Sequence, residues 1–222
     1  MCGRITLTSS GQELAEQFGL EVSPELRPRY NIAPSQEIAT VRVEVEGRRV
    51  CRFNRWGLIP SWAKDPAIGS RMINARAETV AEKPSFRAAL RRRRCIVPAD
   101  GFYEWAGTGR GRQPHLFRQH DGAILAIAGL WEAWLGPEGD EIESSTLITT
   151  EANATMRRFH HRMPVLLAAR DHSCWLDPGE RDPKRVLPLL APCPSDWLNA
   201  IEVSRHVNNP GNDDPRCVEP LA

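Results

Sequence analysis

The stretch Ile38-Ala39-Thr40-Val41-Arg42-Val43-Glu44-Val45, followed by Val50-Cys51-Arg52-Phe53, alternates apolar and polar residues with the period of a β-strand. Between the two runs stands Glu46-Gly47, a dipeptide suited to a turn. Together they predict a β-hairpin. The two strands of a hairpin run antiparallel, so this segment favours an antiparallel sheet.

Working outward from this hairpin, further short strands and a few short helices are predicted. Strands are expected at 95–97, 116–118, 124–129, 146–150, 164–167 and 201–203, with a second hairpin turning at Asp121-Gly122. Ser10-x-x-Glu13 is a capping box for a helix ending at Gly19, and Pro84 suits the first turn of another helix. Shorter helices are expected at 153–159, 171–176 and 195–199. The sequence predicts one α+β domain over residues 1–222, with mainly antiparallel sheets or a partial barrel and short peripheral helices.

Composition narrows the class of protein. The 222 residues carry 29 basic and 28 acidic side chains, a formal net charge of +1, so a nucleic-acid partner would need a local basic groove. No apolar run approaches the length of a membrane span, and no secretion signal is evident, so a cytoplasmic, soluble protein is expected. The sequence carries no signal for the oligomeric state, and a monomer is the default expectation. None of the six cysteines forms a C-x-x-C pair or a zinc-type cluster with histidine, so neither a metal nor a cofactor is predicted.

The N-terminal Met1-Cys2-Gly3-Arg4 carries the most distinctive chemistry. Initiator methionine is normally removed before a small second residue, which would leave Cys2 with a free α-amine and a thiol on adjacent carbons. Such an aminothiol condenses with an aldehyde to a Schiff base and closes through sulfur to a thiazolidine, or serves as nucleophile and base in amide hydrolysis. With ordinary pKa values, roughly a tenth of the amine is neutral and roughly a few per cent of the thiol is ionised at pH 7. The alternative is that Cys2 is a small buried apolar residue.

Four other segments combine polar side chains with loop-forming residues, as functional sites at strand ends often do. They are Arg29-Tyr30-Asn31-Ile32-Ala33-Pro34, Asn74-Ala75-Arg76-Ala77-Glu78-Thr79, Asp100-Gly101-Phe102-Tyr103-Glu104-Trp105 and His160-His161-Arg162-Met163-Pro164. Each has a structural alternative: Asn74 as a turn cap, Glu104 as an ion-pair partner, His160 as a hydrogen-bonded core histidine. The last three of these segments, together with the N-terminal Cys-Gly-Arg and the Trp56-Gly57 loop, have an order and spacing that resemble the SRAP family, SOS-response-associated peptidases known for covalent capture of abasic sites in DNA. The resemblance spans the chain to Val207-Asn208-Asn209 and Asn212-Asp213.

This resemblance implies a role for each matched residue. Cys2 would attack the open-chain aldehyde of an abasic sugar and form a thiazolidine DNA–protein crosslink. Glu104, beside two aromatic residues, would transfer protons in Schiff-base formation and assist strand cleavage by β-elimination. His160 would act on the sugar oxygen, also during crosslink reversal, although the adjacent His161 competes for this assignment. Asn74 would hold Cys2 and the sugar oxygens by hydrogen bonds.

The implied partner is single-stranded or junction DNA that contains an abasic site. Arg4, Arg76 and Arg162 are expected to contact phosphates, and Trp62 and Trp105 to stack on a base or wedge a duplex end, with core packing as the alternative for both tryptophans. Two other functions remain open. The same site suits a thiol peptidase or N-terminal-nucleophile amidohydrolase, including self-processing, and an inert Cys2 would leave a non-catalytic nucleic-acid-binding module; a metalloprotein is disfavoured by the ligand spacing.

Overall fold

The computed structural model describes residues 2–44, 47–107 and 111–221. Twelve strands are assigned within these residues: β1 Ile5–Leu7, β2 Arg29–Ile32, β3 Glu37–Val43, β4 Arg49–Trp56, β5 Asn74–Arg76, β6 Arg94–Ala99, β7 Gly101–Ala106, β8 Gln113–Gln119, β9 Leu125–Leu135, β10 Glu141–Glu151, β11 Arg162–Pro164 and β12 Leu198–Glu202. The α-helices in the same part of the chain are short: α1 Gly11–Phe18, α2 Arg87–Arg92, α3 His172–Leu176 and α4 Pro183–Val186. Single 3₁₀ turns, such as Met156–Arg158 and Arg205–Asn208, connect several of these elements.

The strands form two sheets. One has the order β12-β8-β7-β1-β2, and the other has the order β11-β10-β4-β3-β6-β9 with β5 added against β10. Because β9 also pairs with β10, the larger sheet closes on itself into a partial barrel. The pairs are antiparallel apart from β10 with β4 and β10 with β5. The α+β class with mainly antiparallel sheets is therefore confirmed.

Local sequence signals explain most of the elements. The β3–β4 hairpin pairs Val43 with Arg49, as the alternation predicts; Val45 and Glu46 of the predicted hairpin lie outside the described residues. The capping box that begins α1 is present on both sides, with Ser10 Oγ accepting from Glu13 N and Ser10 N donating to Glu13 Oε2 at 2.7 Å. The helix ends at Gly19, whose φ of +66° is the left-handed conformation that glycine adopts readily.

Several expectations about these elements are wrong; one is the helix expected at 195–199, where the 3₁₀ turn Ser195–Trp197 leads directly into β12. Strands β8 and β9 do not form a hairpin: β8 pairs with β7 and β12, and β9 pairs with β6 and β10. The turn at 121–122 is present, but it carries the chain from one sheet to the other because both edges of β8 are already occupied. The helix expected from Pro84 begins only at Arg87, and the segment 153–159 contains one 3₁₀ turn, Met156–Arg158, rather than an α-helix.

The main apolar core takes side chains from both sheets. Ile5, Phe102 and Phe117 of the smaller sheet belong to the same buried cluster as Ile96 and Ile127 of the larger one. Within the described residues, no helix is long and apolar enough to cross a membrane. The packing of the two sheets brings the beginning of the chain against β7 and β5, which carry Glu104 and Asn74, two of the predicted catalytic residues.

Candidate functional site

The N-terminal strand places Cys2 next to Glu104. Strand β1 pairs with β7 through Ile5 and Phe102, and Tyr103 N donates to Arg4 O at 3.0 Å, so the residues before β1 run alongside the second half of β7. Glu104 lies in that half and is 5% exposed. The carboxylate and the thiol are close enough for the charge of Glu104 to raise the pKa of Cys2.

Asn74, on β5 of the larger sheet, holds Cys2 by a hydrogen bond. Its Nδ2 donates to Cys2 O at 2.8 Å, and its position is fixed by the preceding residue, whose carbonyl accepts from the buried Trp56 indole at 2.9 Å. The Oδ1 atom of Asn74 is buried and has no hydrogen-bond partner among residues 2–44, 47–107 and 111–221. An acceptor left unsatisfied in this way costs about 1–3 kcal/mol and is therefore suited to a donor that arrives later.

His160 completes the cluster from the segment between β10 and β11. Its Nδ1 accepts a hydrogen bond from the backbone N–H of Arg162 at 2.9 Å, so the neutral ring carries its proton on Nε2. Burial lowers the pKa of His160 below its ordinary value, and the negative charge of Glu104 opposes that effect. His160 is therefore positioned as a neutral Nε2–H donor within the electrostatic reach of Glu104.

His161 has different surroundings from His160. Its ring stacks on His160 with a centroid distance of 4.3 Å, and its side chain is exposed to solvent. Only His160 combines partial burial with the influence of Glu104 on its pKa. The geometry therefore favours His160 for the acid–base role, as the resemblance implied.

The Cys2 side chain is fully buried, and its thiol is protonated at neutral pH. Burial, and next the charge of Glu104, raise the pKa of Cys2 to about 12, whereas the N–H of Arg4 favours the thiolate. The raised pKa leaves less thiolate at pH 7 than an ordinary cysteine has, so thiol chemistry at this position requires a base.

Arg4 and Trp105 are tied to the C-terminal part of the chain. Arg4 Nη1 donates to Asn31 Oδ1 at 2.6 Å and to Val207 O at 2.8 Å, and the guanidinium carbon lies 5.6 Å from the centroid of the Trp105 ring. The Trp105 indole donates to Asn208 Oδ1 at 2.6 Å. These contacts give both residues a structural role; their predicted contacts with DNA stay predictions.

The remaining predicted DNA contacts differ in exposure. Trp62 is 58% exposed and lines a surface hollow of about 580 Å³, so its ring is available for stacking. Arg76 is also exposed. The side chain of Arg162 is 9% exposed and forms a bidentate ion pair with Glu78 at 2.6 and 2.9 Å, which holds the pKa of Glu78 below its usual range.

Comparison with known proteins shows which family the sequence belongs to. The family profile described as SOS response associated peptidase (SRAP) matches residues 1–210. The chain belongs to the SRAP family.

Curated relatives of this SRAP protein carry a common description, and one of them matches it over nearly the whole of both chains. It is 44% identical over 223 residues to the abasic site processing protein YoqW of Bacillus subtilis, a match that covers 99% of each chain. It is 31% identical to the abasic site processing protein HMCES of Gallus gallus, a match that covers all of this chain and 78% of the relative. A crystal structure of a Bacteroides thetaiotaomicron protein superposes over the full length of both chains with a TM-score of 0.88 and 26% identity.

Two structural residues of this SRAP protein were not recognised from the sequence. The amide of Asn31 donates to the carbonyls of Val207, Asn209 and Asn212, and the carboxylate of Asp213 accepts from the backbone N–H groups of residues 30 and 31. Asn31 belongs to the polar segment at residues 29–34, and Asp213 to the Asn212-Asp213 pair at which the resemblance ends. The sequence signal for these contacts was the presence of two polar segments, far apart in the chain and rich in asparagine.

Glu78 was also missed as the partner of Arg162. It lies in the turn that follows β5, and no local pattern in the sequence indicates this pairing.

A group of metal-ligating side chains also occurs in this SRAP protein, away from the cluster at Cys2. Among the described residues, the ligand atoms of His206, Asp214 and Cys217 lie within 4.8 Å of one another. His206 Nε2 is 2.9 Å from Asp214 Oδ2, and Arg216 pairs with the same carboxylate oxygen at 2.9 Å. These polar groups satisfy one another, so the cluster is explained without an ion.

Proposed function

We propose that this SRAP protein captures abasic sites in DNA by forming a covalent bond through Cys2 once Met1 has been removed. The relatives described above are named abasic site processing proteins, which supports the substrate class. The observation that carries the proposal is the convergence at Cys2: Asn74 holds its carbonyl at 2.8 Å, and Glu104 acts electrostatically on both Cys2 and His160. An aminothiol with an acid–base pair beside it is suited to aldehyde capture.

The proposed reaction balances without an oxidant or a cofactor. The amine of Cys2 attacks the aldehyde carbon of the opened abasic sugar and forms a C–N bond, giving a carbinolamine. Loss of its hydroxyl as water gives an imine. The sulfur of Cys2 then adds to the imine carbon, and the thiol proton goes to the nitrogen. The product is a thiazolidine, and one water is released overall.

Three neighbouring side chains have separate roles in this proposal. Glu104 takes and returns the protons, first when the hydroxyl leaves and then when the thiol adds. His160, as a neutral Nε2–H donor, protonates the ring oxygen when the sugar opens and returns the proton on reversal. The unpartnered Oδ1 of Asn74 accepts from the Cys2 amine while Nδ2 keeps the carbonyl in place.

Further features of the activity are part of the same proposal. An imine at Cys2 also activates the sugar for β-elimination, so strand cleavage is expected as a slower side reaction. The proposal also includes peptidase activity in the self-removal of residues before Cys2. The substrate is a single strand or a junction, the protein acts as a monomer in the cytoplasm, and the exposed Trp62 provides a stacking surface.

The decisive experiment combines an intact-mass measurement with a crosslinking assay. The purified protein is expected to lack Met1 and to form an adduct with an abasic single-stranded oligonucleotide that survives denaturing electrophoresis. Cys2→Ala should abolish the adduct. Cys174→Ala is the matched control, because Cys174 is an exposed cysteine and should be dispensable.

Two results would refute the proposal. Retention of Met1 in an active preparation would mean that the aminothiol does not exist. An equally stable adduct from a variant with one uncleaved residue before Cys2 would show that the amine takes no part. Turnover of peptides without any adduct would instead support the thiol peptidase alternative.

A further inference from the structure

The buried amide of Asn31 joins the beginning of the chain to residues 207–212, which we call the C-terminal loop. Its Oδ1 accepts a hydrogen bond from Arg4 Nη1 at 2.6 Å. Its Nδ2 donates to three carbonyls of the C-terminal loop, at 3.1, 3.0 and 2.6 Å, those of Val207, Asn209 and Asn212. The Asn31 side chain is 0% exposed, so it is not available for contact with DNA.

Arg4 connects this amide to the sulfur of Cys2. The backbone N–H of Arg4 is a hydrogen-bond donor to the Cys2 thiol, and its side chain donates to Asn31 Oδ1 and to Val207 O. One residue therefore contacts the reacting sulfur with its backbone and the C-terminal loop with its guanidinium. A change at Asn31 reaches Cys2 through a single intervening residue.

The other contacts that hold residues 2–4 act on carbonyl groups. Asn74 Nδ2 donates to Cys2 O at 2.8 Å, and Tyr103 N donates to Arg4 O at 3.0 Å. Neither contact restricts the direction of the Arg4 N–H or of the Cys2 side chain. The anchored guanidinium of Arg4 is thus the contact that limits rotation of the chain beside the sulfur.

We propose that Asn31 is a positioning residue for the capture reaction and that it acts through Arg4 to hold the Cys2 sulfur where it can close the ring. This proposal rests on the proposed function, in which the amine forms the first bond and the sulfur then adds to the imine carbon. A displacement of about 1 Å at a reacting centre can slow such a step about 100-fold. Because two other contacts still hold residues 2–4, loss of the Asn31 amide should slow adduct formation about tenfold.

The experiment compares Asn31→Ala with Asn54→Ala. Asn54 is also a buried amide, but its hydrogen bonds to Thr40 and Glu143 join β3, β4 and β10, away from residues 2–4. Adduct formation with an abasic single-stranded oligonucleotide is followed in single turnovers at saturating DNA, and thermal unfolding is measured for each variant. Asn31→Ala should lower the maximal rate, whereas Asn54→Ala should lower only the melting temperature.

Asn31→Asp separates positioning from stability. The carboxylate keeps an acceptor for Arg4, in a charge-assisted hydrogen bond, but it turns an oxygen toward the three carbonyls of the C-terminal loop. This variant should therefore be no more stable than Asn31→Ala and yet recover most of the wild-type rate. A purely structural role predicts the opposite order, with the aspartate variant as the slower of the two.

The partition between imine and thiazolidine gives a readout that a loss of stability does not change. With the sulfur displaced and the amine still in place, Asn31→Ala should accumulate imine that borohydride traps, at the expense of thiazolidine. Asn54→Ala should keep the wild-type ratio of the two products. The DNA concentration at half-maximal rate should stay the same in both variants, because neither amide is exposed.

Equal imine-to-thiazolidine ratios for Asn31→Ala and Asn54→Ala would overturn the positioning role. A weaker affinity of Asn31→Ala for the oligonucleotide at an unchanged maximal rate would overturn it as well, because Asn31 would then act on DNA binding. If the wild type forms the adduct in these cases, the proposed function stands and only the assignment of Asn31 fails. If the wild type forms no adduct with abasic DNA, the proposed function fails and the assignment fails with it.

Discussion

Replacing Asn74 by alanine should separate catalysis from stability. The substitution removes the hydrogen bond from Nδ2 to Cys2 O, 2.8 Å long, which contributes about 0.5–1.5 kcal/mol net. It leaves the carbonyl of Cys2 without this donor, but it also removes Oδ1, a buried acceptor with no partner in the described residues. Each unsatisfied group costs about 1–3 kcal/mol, so these two effects oppose each other.

The free energy of unfolding of Asn74→Ala should therefore lie within about 1 kcal/mol of the wild type, a shift in melting temperature of about 2–4 °C for a chain of this size. The rate of adduct formation should fall much further. Cys2 loses its contact with β5, and a displacement of about 1 Å at a reacting centre can reduce the rate about 100-fold. Asn74→Asp should be slower still, because it places a carboxylate oxygen opposite the Cys2 carbonyl.

The assay measures single-turnover adduct formation with abasic oligonucleotide on denaturing gels, alongside thermal unfolding of each variant. Asn199→Ala is the control, since Asn199 is exposed on β12 and should affect neither quantity. An adduct rate for Asn74→Ala within twofold of the wild type would refute the reasoning. So would a melting temperature lowered in proportion to the rate, because that would make Asn74 a structural residue only.

Three further predictions concern stability and pH. Glu78→Gln should lower the free energy of unfolding by about 3 kcal/mol in urea unfolding, because it leaves the charge of Arg162, whose side chain is 9% exposed, without its counter-charge, whereas Arg162→Met removes that charge, leaves the 44%-exposed Glu78 to solvent and should cost about 1 kcal/mol. Gly57→Ala should cost about 3 kcal/mol by the same measurement, because φ is +129° and a Cβ would lie 2.6 Å from Gly69 O. Burial lowers the pKa of His172, so below its unfolded pKa of about 6.5 the unfolded chain binds more protons and stability falls with falling pH. His172→Phe should flatten that decline between about pH 7.5 and 5 in urea unfolding.

Each of these predictions has an outcome that contradicts it. Equal losses for the Arg162 and Glu78 variants would mean that the ion pair acts as an exposed one. A Gly57→Ala variant as stable as the wild type would show that the loop before Asn74 tolerates a side chain. An unchanged acid decline in His172→Phe would assign that decline to other groups.

The capping box of α1 and the β3–β4 hairpin were predictable because residues close in sequence determine them. The partner of β8 was not. Its alternation of apolar and polar residues indicates a strand with one buried face, but the same pattern fits a hairpin with β9 or a place between β7 and β12. Strand pairing across two sheets depends on long-range packing, and a turn such as Asp121-Gly122 does not determine which sheet follows it.

In the candidate site, too, the sequence indicated the residues but not the properties that depend on long-range packing. Motif order identified Cys2, Asn74, Glu104 and His160, and the structure brings contacts or electrostatic effects of all four to one place. The pKa of Cys2 could not be read from the motifs, because it depends on burial by residues from both sheets. The neutralisation of Arg162 by Glu78 was equally hidden, since it requires β11 to lie beside the segment after β5.

Burial of Cys2 initially favours the structural alternative, yet it also determines the order of the proposed reaction. Burial and the charge of Glu104 raise the pKa of the thiol, so thiolate is scarcer at pH 7 than a neutral α-amine of ordinary pKa. The amine must therefore form the first bond, and sulfur adds afterwards with a base taking its proton. The adduct rate should rise to about pH 8 and then level off as the amine titrates. Cys2→Ser should still give an imine that borohydride traps, but no thiazolidine. A rate that keeps rising about tenfold per pH unit above pH 9 would show that the thiolate attacks first.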